Sequence, residues 1–298
     1  MAPEPLPTRP MTPAEWGDSA GPGELMRYGV IADIHANLPA LRAMVEALRQ
    51  RGAERWLVAG DVVGYGAQPN ECIEEIVALN ARCVAGNHDL IAIGQLREDR
   101  CIALARASLR WTRSVLSSDS RTWLETLPLR ISTPGGIVMA HGSLDDPEEY
   151  TTRRVQALAQ LDEVKRLGGR VLVLGHTHRP WAFSRSAGPL RRRTPLPLAT
   201  DDVTLLNPGA VGQSRQLGVR ARGLLIDTKA TVAEFSTTSY DIDSARAALR
   251  TAGLSPEGVH LRPSLAAISR RALRSGLDRA FTRSRRLTAQ RERPNDRA

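Results

Sequence analysis

Along residues 28–127, short apolar runs alternate with longer stretches in which apolar residues recur every three or four positions. Tyr28–Ala32, Trp56–Ala59 and Arg82–Ala85 read as buried strands. Between the first two, Leu38, Leu41, Met44, Val45 and Leu48 share one face of a helix over 38–49. Pro69 suits the first turn of a second helix over 69–79, where its missing N–H costs nothing. The pattern then predicts a long helix over 98–116 and a shorter piece to Leu127. Strand–helix alternation of this kind predicts parallel strands joined by right-handed crossovers.

The second half has a different pattern. Pro134, Gly135 and Gly136 interrupt two apolar runs between Leu129 and Ala140, a hairpin signal. A helix over 155–167 ends at Gly168-Gly169, and Val171–Leu174 follows as a strand. Trp181–Phe183, Val203–Leu206, Gly223–Asp227 and Thr231–Ser236 read as further short strands, and 243–252 as a last small helix. The later hairpins predict a second, more antiparallel sheet. Two sheets packed together with helices outside, an α/β fold, is the simplest architecture.

The ends of the chain differ from its body. Residues 1–26 carry six prolines and lack the apolar core of a signal peptide, so they read as a Pro-rich disordered extension. Met26 stands directly before the first strand and is a second candidate for the initiator. The expected organisation is 1–26 as extension, 27–252 as the folded domain and 253–298 as a basic C-terminal tail, partly helical or disordered. Within that tail Leu265, Ile268, Ala272, Leu273, Leu277, Ala280 and Phe281 recur at helical spacing, with arginines on the other faces.

Charge sharpens this division. Basic residues outnumber acidic ones by nine, yet 262–298 alone holds eleven arginines against Asp278, Glu292 and Asp296. The body is therefore nearly neutral. The tail admits three readings: nucleic-acid binding through 262–298, an anionic membrane surface, or an extension whose arginines follow a GC-rich genome. No apolar run reaches the length a spanning helix needs, so no transmembrane segment is expected. Cys72, Cys83 and Cys101 form no CxxC, which suits buried thiols and a cytoplasmic location.

The candidate chemistry lies at the ends of the apolar runs. Five short motifs follow them: Asp33-Ile34-His35, Gly60-Asp61-Val62-Val63-Gly64, Gly86-Asn87-His88-Asp89, His141-Gly142 and Gly175-His176-Thr177-His178. Ligands of open α/β sheets gather beyond the carboxyl ends of the strands, so the fold would bring these motifs together. Their carboxylates, imidazoles and one amide suit Mn, Fe, Zn, Ni or Co rather than a Cys-rich structural zinc. They are too many for one ion, and two ions need a shared carboxylate. Five of the six histidines fall in these motifs; His260 reads as a loop residue.

The blocks resemble the calcineurin-like metallophosphoesterase superfamily, with its DxH, GDxxG, GNHD/E, lone His and GHTH pattern, over about residues 27–241. Ala32–Asn37, Gly60–Gly66 and Asn207–Gln213 look like its compact bacterial and archaeal YfcE-type branch, with Ala210 where that branch usually has Ser. The resemblance implies a four-layer α/β/β/α sandwich of two mixed sheets flanked by helices, and a site for two divalent ions, Mn being the first expectation. It implies Asp33, His35 and His178 around one ion, Asn87, His141 and His176 around the other, and Asp61 between them. His88 would lie near the leaving oxygen, with Asp89 orienting its ring. A metal-bridging hydroxide would attack the phosphorus of a small phosphodiester or phosphomonoester.

The protein phosphatases that resemble this family carry an Arg after the GDxxD/N block. Gly64-Tyr65-Gly66 stands there instead, which argues against a protein substrate. Arg215 and Arg179 are the candidate replacements, and Tyr65 a candidate to stack on a substrate base. A non-catalytic metal-binding scaffold on the same fold is the alternative; it would not require the whole ligand set to be retained. A nucleic-acid-processing phosphoesterase guided by the tail is a further variant.

Overall fold

Val30 and Ala32 face one side of the first strand and Ile31 the other, and this period-two division recurs through the core. A computed structural model describes residues 26–192 and 194–263. The first half folds as β1 (Arg27–Ile31), α1 (Leu38–Arg49), β2 (Arg55–Val58), α2 (Pro69–Ala78), β3 (Arg82–Cys83), α3 (Asn87–Ala92), α4 (Ala103–Val115) and α5 (Ser118–Glu125). The hairpin β4 (Arg130–Ser132) and β5 (Ile137–Ala140), then α6 (Arg154–Arg166) and β6 (Val171–Val173), lead into the second half. There follow β7 (Trp181–Ser184), β8 (Gly188–Leu190), β9 (Leu196–Pro197), β10 (Thr204–Asn207), β11 (Ala221–Asp227), β12 (Val232–Thr238), α7 (Ile242–Thr251) and a 3-10 turn over Pro256–Val259.

Two six-stranded sheets result, in the orders β3-β2-β1-β11-β12-β9 and β4-β5-β6-β10-β7-β8. Both are mixed. In the first, β1, β2 and β3 run parallel; in the second, β5, β6 and β10 do. The late hairpin β11–β12 joins the first sheet antiparallel to β1 instead of building a separate antiparallel sheet. All seven residues of β11 are buried, which fits a central place better than an edge.

Three apolar interfaces make four layers. Ile31, Val58 and Leu225 pack under Leu41, Met44 and Leu48 of α1 and Ile73 and Ile76 of α2. Val30, Leu57 and Leu224 meet Ile137, Met139, Val173 and Leu206 between the sheets. Val138, Leu172 and Leu205 pack under Leu161 and Val164 of α6. Among the described residues, no helix is long and apolar enough to cross a membrane. The Pro-rich extension, Met26 apart, and the arginine-rich segment from residue 264 onward lie outside the described residues.

Residues 253–261 pack on the domain. Val259 is buried, and backbone bonds run from Ser214 N to Val259 O (3.2 Å) and from Leu261 N to Ser214 O (3.0 Å). A chain ending at Ala252 is therefore expected to be about 2–3 kcal/mol less stable than one ending at Pro263, since burying a Val side chain alone contributes about 1.5 kcal/mol or more. Urea unfolding of both checks this; equal midpoints would remove the structural role of the segment.

Candidate metal centre

The two parallel triplets point their carboxyl ends at one edge of the sandwich. Asp33 and His35 follow β1, Asp61 follows β2, Asn87 to Asp89 follow β3, His141 follows β5, and His176 and His178 follow β6. The loop after β10 closes the group, with Gly212 N donating to Asp33 O (2.9 Å).

The backbone there is strained. Among the described residues, nine other than glycine have positive φ, and five of them are Asp33, His35, Asp61, His176 and His178. A left-handed side-chain-bearing residue costs about 1–3 kcal/mol, so this clustering marks a site and not a packing accident. Cross-loop bonds hold the strain: Asp33 N to Gly60 O (3.1 Å), His35 N to Asp61 O (3.0 Å) and His176 N to Asp33 Oδ1 (3.0 Å). Gly86 must be glycine, because a Cβ would overlap the Asp61 carboxylate and amide.

The side chains form two groups, Asp33, His35, Asp61 and His178, and Asp61, His141 and His176, with ligand atoms within 4.8 Å of one another in each. Asp61 belongs to both. His35 Nδ1 donates to Val63 O (3.1 Å), His141 Nδ1 to Ala59 O (2.7 Å) and His178 Nδ1 to Gln213 O (2.9 Å). Each Nε2 then faces the cluster, and those of His35 and His178, which burial keeps neutral, carry a lone pair into it. His35 Nε2 and His178 Nε2 lie 3.1 Å apart, two acceptors facing each other. Oδ2 of Asp33 and Oδ2 of Asp61 are buried with no hydrogen-bond partner among the described residues. Facing lone pairs and orphaned carboxylate oxygens are satisfied together by cations, so the residues fit divalent metals. Asn87 Oδ1 joins the second group, 3.2 Å from His141 Nε2.

Electrostatics separate the histidines. Burial lowers His176 to about 3, and holds His35 and His178 well below the usual range, so these rings are neutral and able to ligate. Burial opposes charge on His141 too, but the Asp61 carboxylate beside it (3.3 Å) raises it to about 9. Burial pushes Asp33 up to about 7, Asp61 adding to the effect.

Asp89 does not orient His88. Its carboxylate accepts from the amides of Asp61 (2.8 Å), Val63 (3.0 Å) and Gly86 (2.9 Å), while His88 Nδ1 has no partner. Asp89 instead fixes the loop that carries Asp61. Burial lowers His88 to about 4.

A cavity of about 380 Å³ opens over the cluster, lined by Asp61, Asn87, His88, His176 and His178, and by Tyr65 and Arg215. Arg215 donates to Gln213 Oε1 and Tyr150 Oη, both at 3.2 Å. The ring of Tyr65 stands edge-on to His35 and tilted on His88, each at 4.8 Å, and the residue is 3% exposed. Packed in this way, the ring has no open face on which a substrate base could stack. Arg179 is exposed and does not line the cavity.

Sequence reasoning missed the backbone carbonyls of Ala59, Val63 and Gln213, for which no residue type gives a signal. It also missed Tyr150, whose ring lies 4.0 Å from that of His176, and Glu148, whose carbonyl is 3.1 Å from His176 Nε2.

Known proteins resemble this chain in sequence and in fold. A curated relative, an uncharacterized protein of Methanocaldococcus jannaschii, is 34% identical over 221 residues, covering 72% of this chain and 88% of the relative. A metallophosphoesterase from Sphaerobacter thermophilus is 32% identical with a TM-score of 0.68, over 79% of this chain and 97% of that one. A hypothetical protein from Pyrococcus horikoshii OT3 shares the fold, at 21% identity and a TM-score of 0.64, over 78% and 96% of the two chains. Residues 26–231 match the calcineurin-like phosphoesterase superfamily domain, and the chain belongs to that superfamily.

Proposed function

We propose that the chain is a metal-dependent phosphoesterase that hydrolyses a small phosphodiester or phosphomonoester. The observation that carries this reading is the pair of ligand groups sharing Asp61, with Oδ2 of Asp33 and of Asp61 orphaned between them. Asp33, His35 and His178 would hold one divalent ion, Asn87, His141 and His176 would hold a second, and Asp61 would serve both. Such ions supply a water acidic enough to attack phosphorus near neutral pH, and positive charge facing the phosphoryl oxygens.

This chain's own residues do the rest. Among the described residues, Arg215 has no carboxylate among its hydrogen-bond partners, so its guanidinium is available to a phosphoryl oxygen. The Tyr65 hydroxyl donates to a second oxygen. His88, neutral because burial lowers it to about 4, donates a hydrogen bond to the leaving oxygen and is not a proton source at pH 7. The cysteines are free thiols, which suits the cytoplasm.

The protein stripped of metal and reloaded with Mn, Fe, Zn, Ni or Co is expected to hydrolyse bis-p-nitrophenyl phosphate or p-nitrophenyl phosphate only when loaded. Arg215→Ala is expected to raise KM about tenfold or more, the effect of losing one hydrogen bond to a charged group. Absence of turnover with every ion would favour the scaffold reading. An unchanged KM would remove Arg215 from substrate binding.

A further inference from the structure

The cavity over the metal cluster has two unlike sides. One holds the cluster, Arg215 and Tyr65. The other is mostly apolar, with Cys101, Ile102, Ala105, Leu261 and Tyr150, and it includes the ion pair of Arg100 and Glu148. The charges on this second side are paired: Arg100 Nη1 lies 3.2 Å from Glu148 Oε2.

Ile102 breaks two local rules at once. It stands at the N-cap of α4 and makes no side-chain cap bond, in a position that favours Ser, Thr, Asp or Asn. It is also 52% exposed, and Tyr150 is 47% exposed. Both are among the few large apolar side chains left open to solvent in the described residues, and both face this cavity. Such choices cost stability without adding to the core. They are explained if something apolar covers them in the working state.

Resting on the phosphoesterase reading, we propose that this wall is the subsite for the organic group of the substrate, and that the group is aromatic or similarly flat and apolar, not a sugar or polyol. A polyol would leave its hydroxyls unpaired against Ile102, Ala105 and Leu261. The space suffices: an apolar cavity of about 150 Å³ accepts benzene, and this one measures about 380 Å³ including room for the phosphoryl group. Tyr150 supplies a ring for the substrate ring to lie against. Its hydroxyl accepts from Arg215 Nη1 (3.2 Å), tying the apolar side to the anion-binding side.

Phosphonates test this without the confounding reactivity of a leaving group. Phenylphosphonate and methylphosphonate would be compared on the Mn-loaded protein by titration calorimetry and by inhibition of bis-p-nitrophenyl phosphate hydrolysis. The phenyl compound is expected to bind about tenfold tighter or more, from the apolar area of one ring. In Ile102→Ser that ratio is expected to fall about threefold or more, while Tm rises by about 2–4 °C because a preferred cap is restored. A purely structural Ile102 would move Tm and leave the ratio alone. Equal binding of the two phosphonates with hydrolysis intact, or an unchanged ratio in Ile102→Ser, overturns the subsite and spares the phosphoesterase reading. No hydrolysis and no binding of either compound overturns both.

Discussion

Asp61→Asn is expected to leave a folded protein that binds at most one divalent ion per chain and has lost about a thousandfold or more of its phosphoester turnover. Asp61 is the one carboxylate common to both ligand groups. Its two oxygens are divided between structure and chemistry. Oδ1 accepts from the His88 amide at 2.8 Å, while Oδ2 is buried with no hydrogen-bond partner among the described residues. Asparagine keeps the shape and the first bond but turns the second position into a donor, which repels a cation and faces His141 Nε2, 3.3 Å from Oδ2. Each factor of ten in rate is about 1.4 kcal/mol, and removing one of two positive centres from a phosphoryl transition state costs several of these. Equilibrium dialysis with metal analysis gives the stoichiometry, and bis-p-nitrophenyl phosphate gives the rate. Two bound ions with turnover within tenfold of the parent would sink the shared-carboxylate assignment.

The legible parts of the fold were those written in local pattern. The period-two alternation of β1, β2, β5 and β6 and the apolar face of α1 are near-neighbour features, and all five motifs fall at strand ends as their flanking runs predict. Non-local choices were harder to read. Nothing within β11 or β12 says which sheet the hairpin joins; its pairing with β1 spans some two hundred residues. The short strands β8 and β9 contain proline and are too brief to give a period. Helical spacing predicted a start near Glu98, but α4 begins at Ala103. The segment before it forms cavity wall, with Glu98 reaching back to Arg110 at 2.8 Å.

The candidate site divides in the same way. Residue types with a narrow chemical repertoire, His and Asp beside Gly, could be read directly. Their orientation could not, because it comes from carbonyl groups that every residue owns. Asp89 is a case in point. Its position beside His88 in sequence suggests a His–Asp pair, yet at the third position of the short helix α3 its carboxylate turns back to the amides of Gly86, Asp61 and Val63.

Asp33→Asn is expected to stabilise the metal-free protein and to abolish the stabilisation that metal confers. Burial, with Asp61 adding its charge, pushes the Asp33 carboxyl up to about 7 from an ordinary value of 3.8. The folded metal-free chain therefore binds the Asp33 proton more tightly than the unfolded chain does. Between about pH 4 and 7 the folded state holds more protons, so this group's contribution to stability falls as pH rises, and above pH 7 the full penalty of a buried charge remains. The shift corresponds to a penalty on the order of a few kcal/mol. Asparagine removes the charge and keeps an oxygen for the His176 amide, which donates to Oδ1 at 3.0 Å. A net gain on the order of 1–2 kcal/mol at pH 8 is expected, or about 2–8 °C in Tm, shrinking toward zero at pH 4. Metal reverses the order: Mn raises Tm of the parent by binding only its folded state, and raises that of the variant little. Thermal melts of both proteins at pH 4, 6 and 8, with chelator and with Mn, resolve the crossover. A variant less stable than the parent in chelator at pH 8, or equal stabilisation of both by Mn, would show that Asp33 is held by the fold for its own stability and not for a cation.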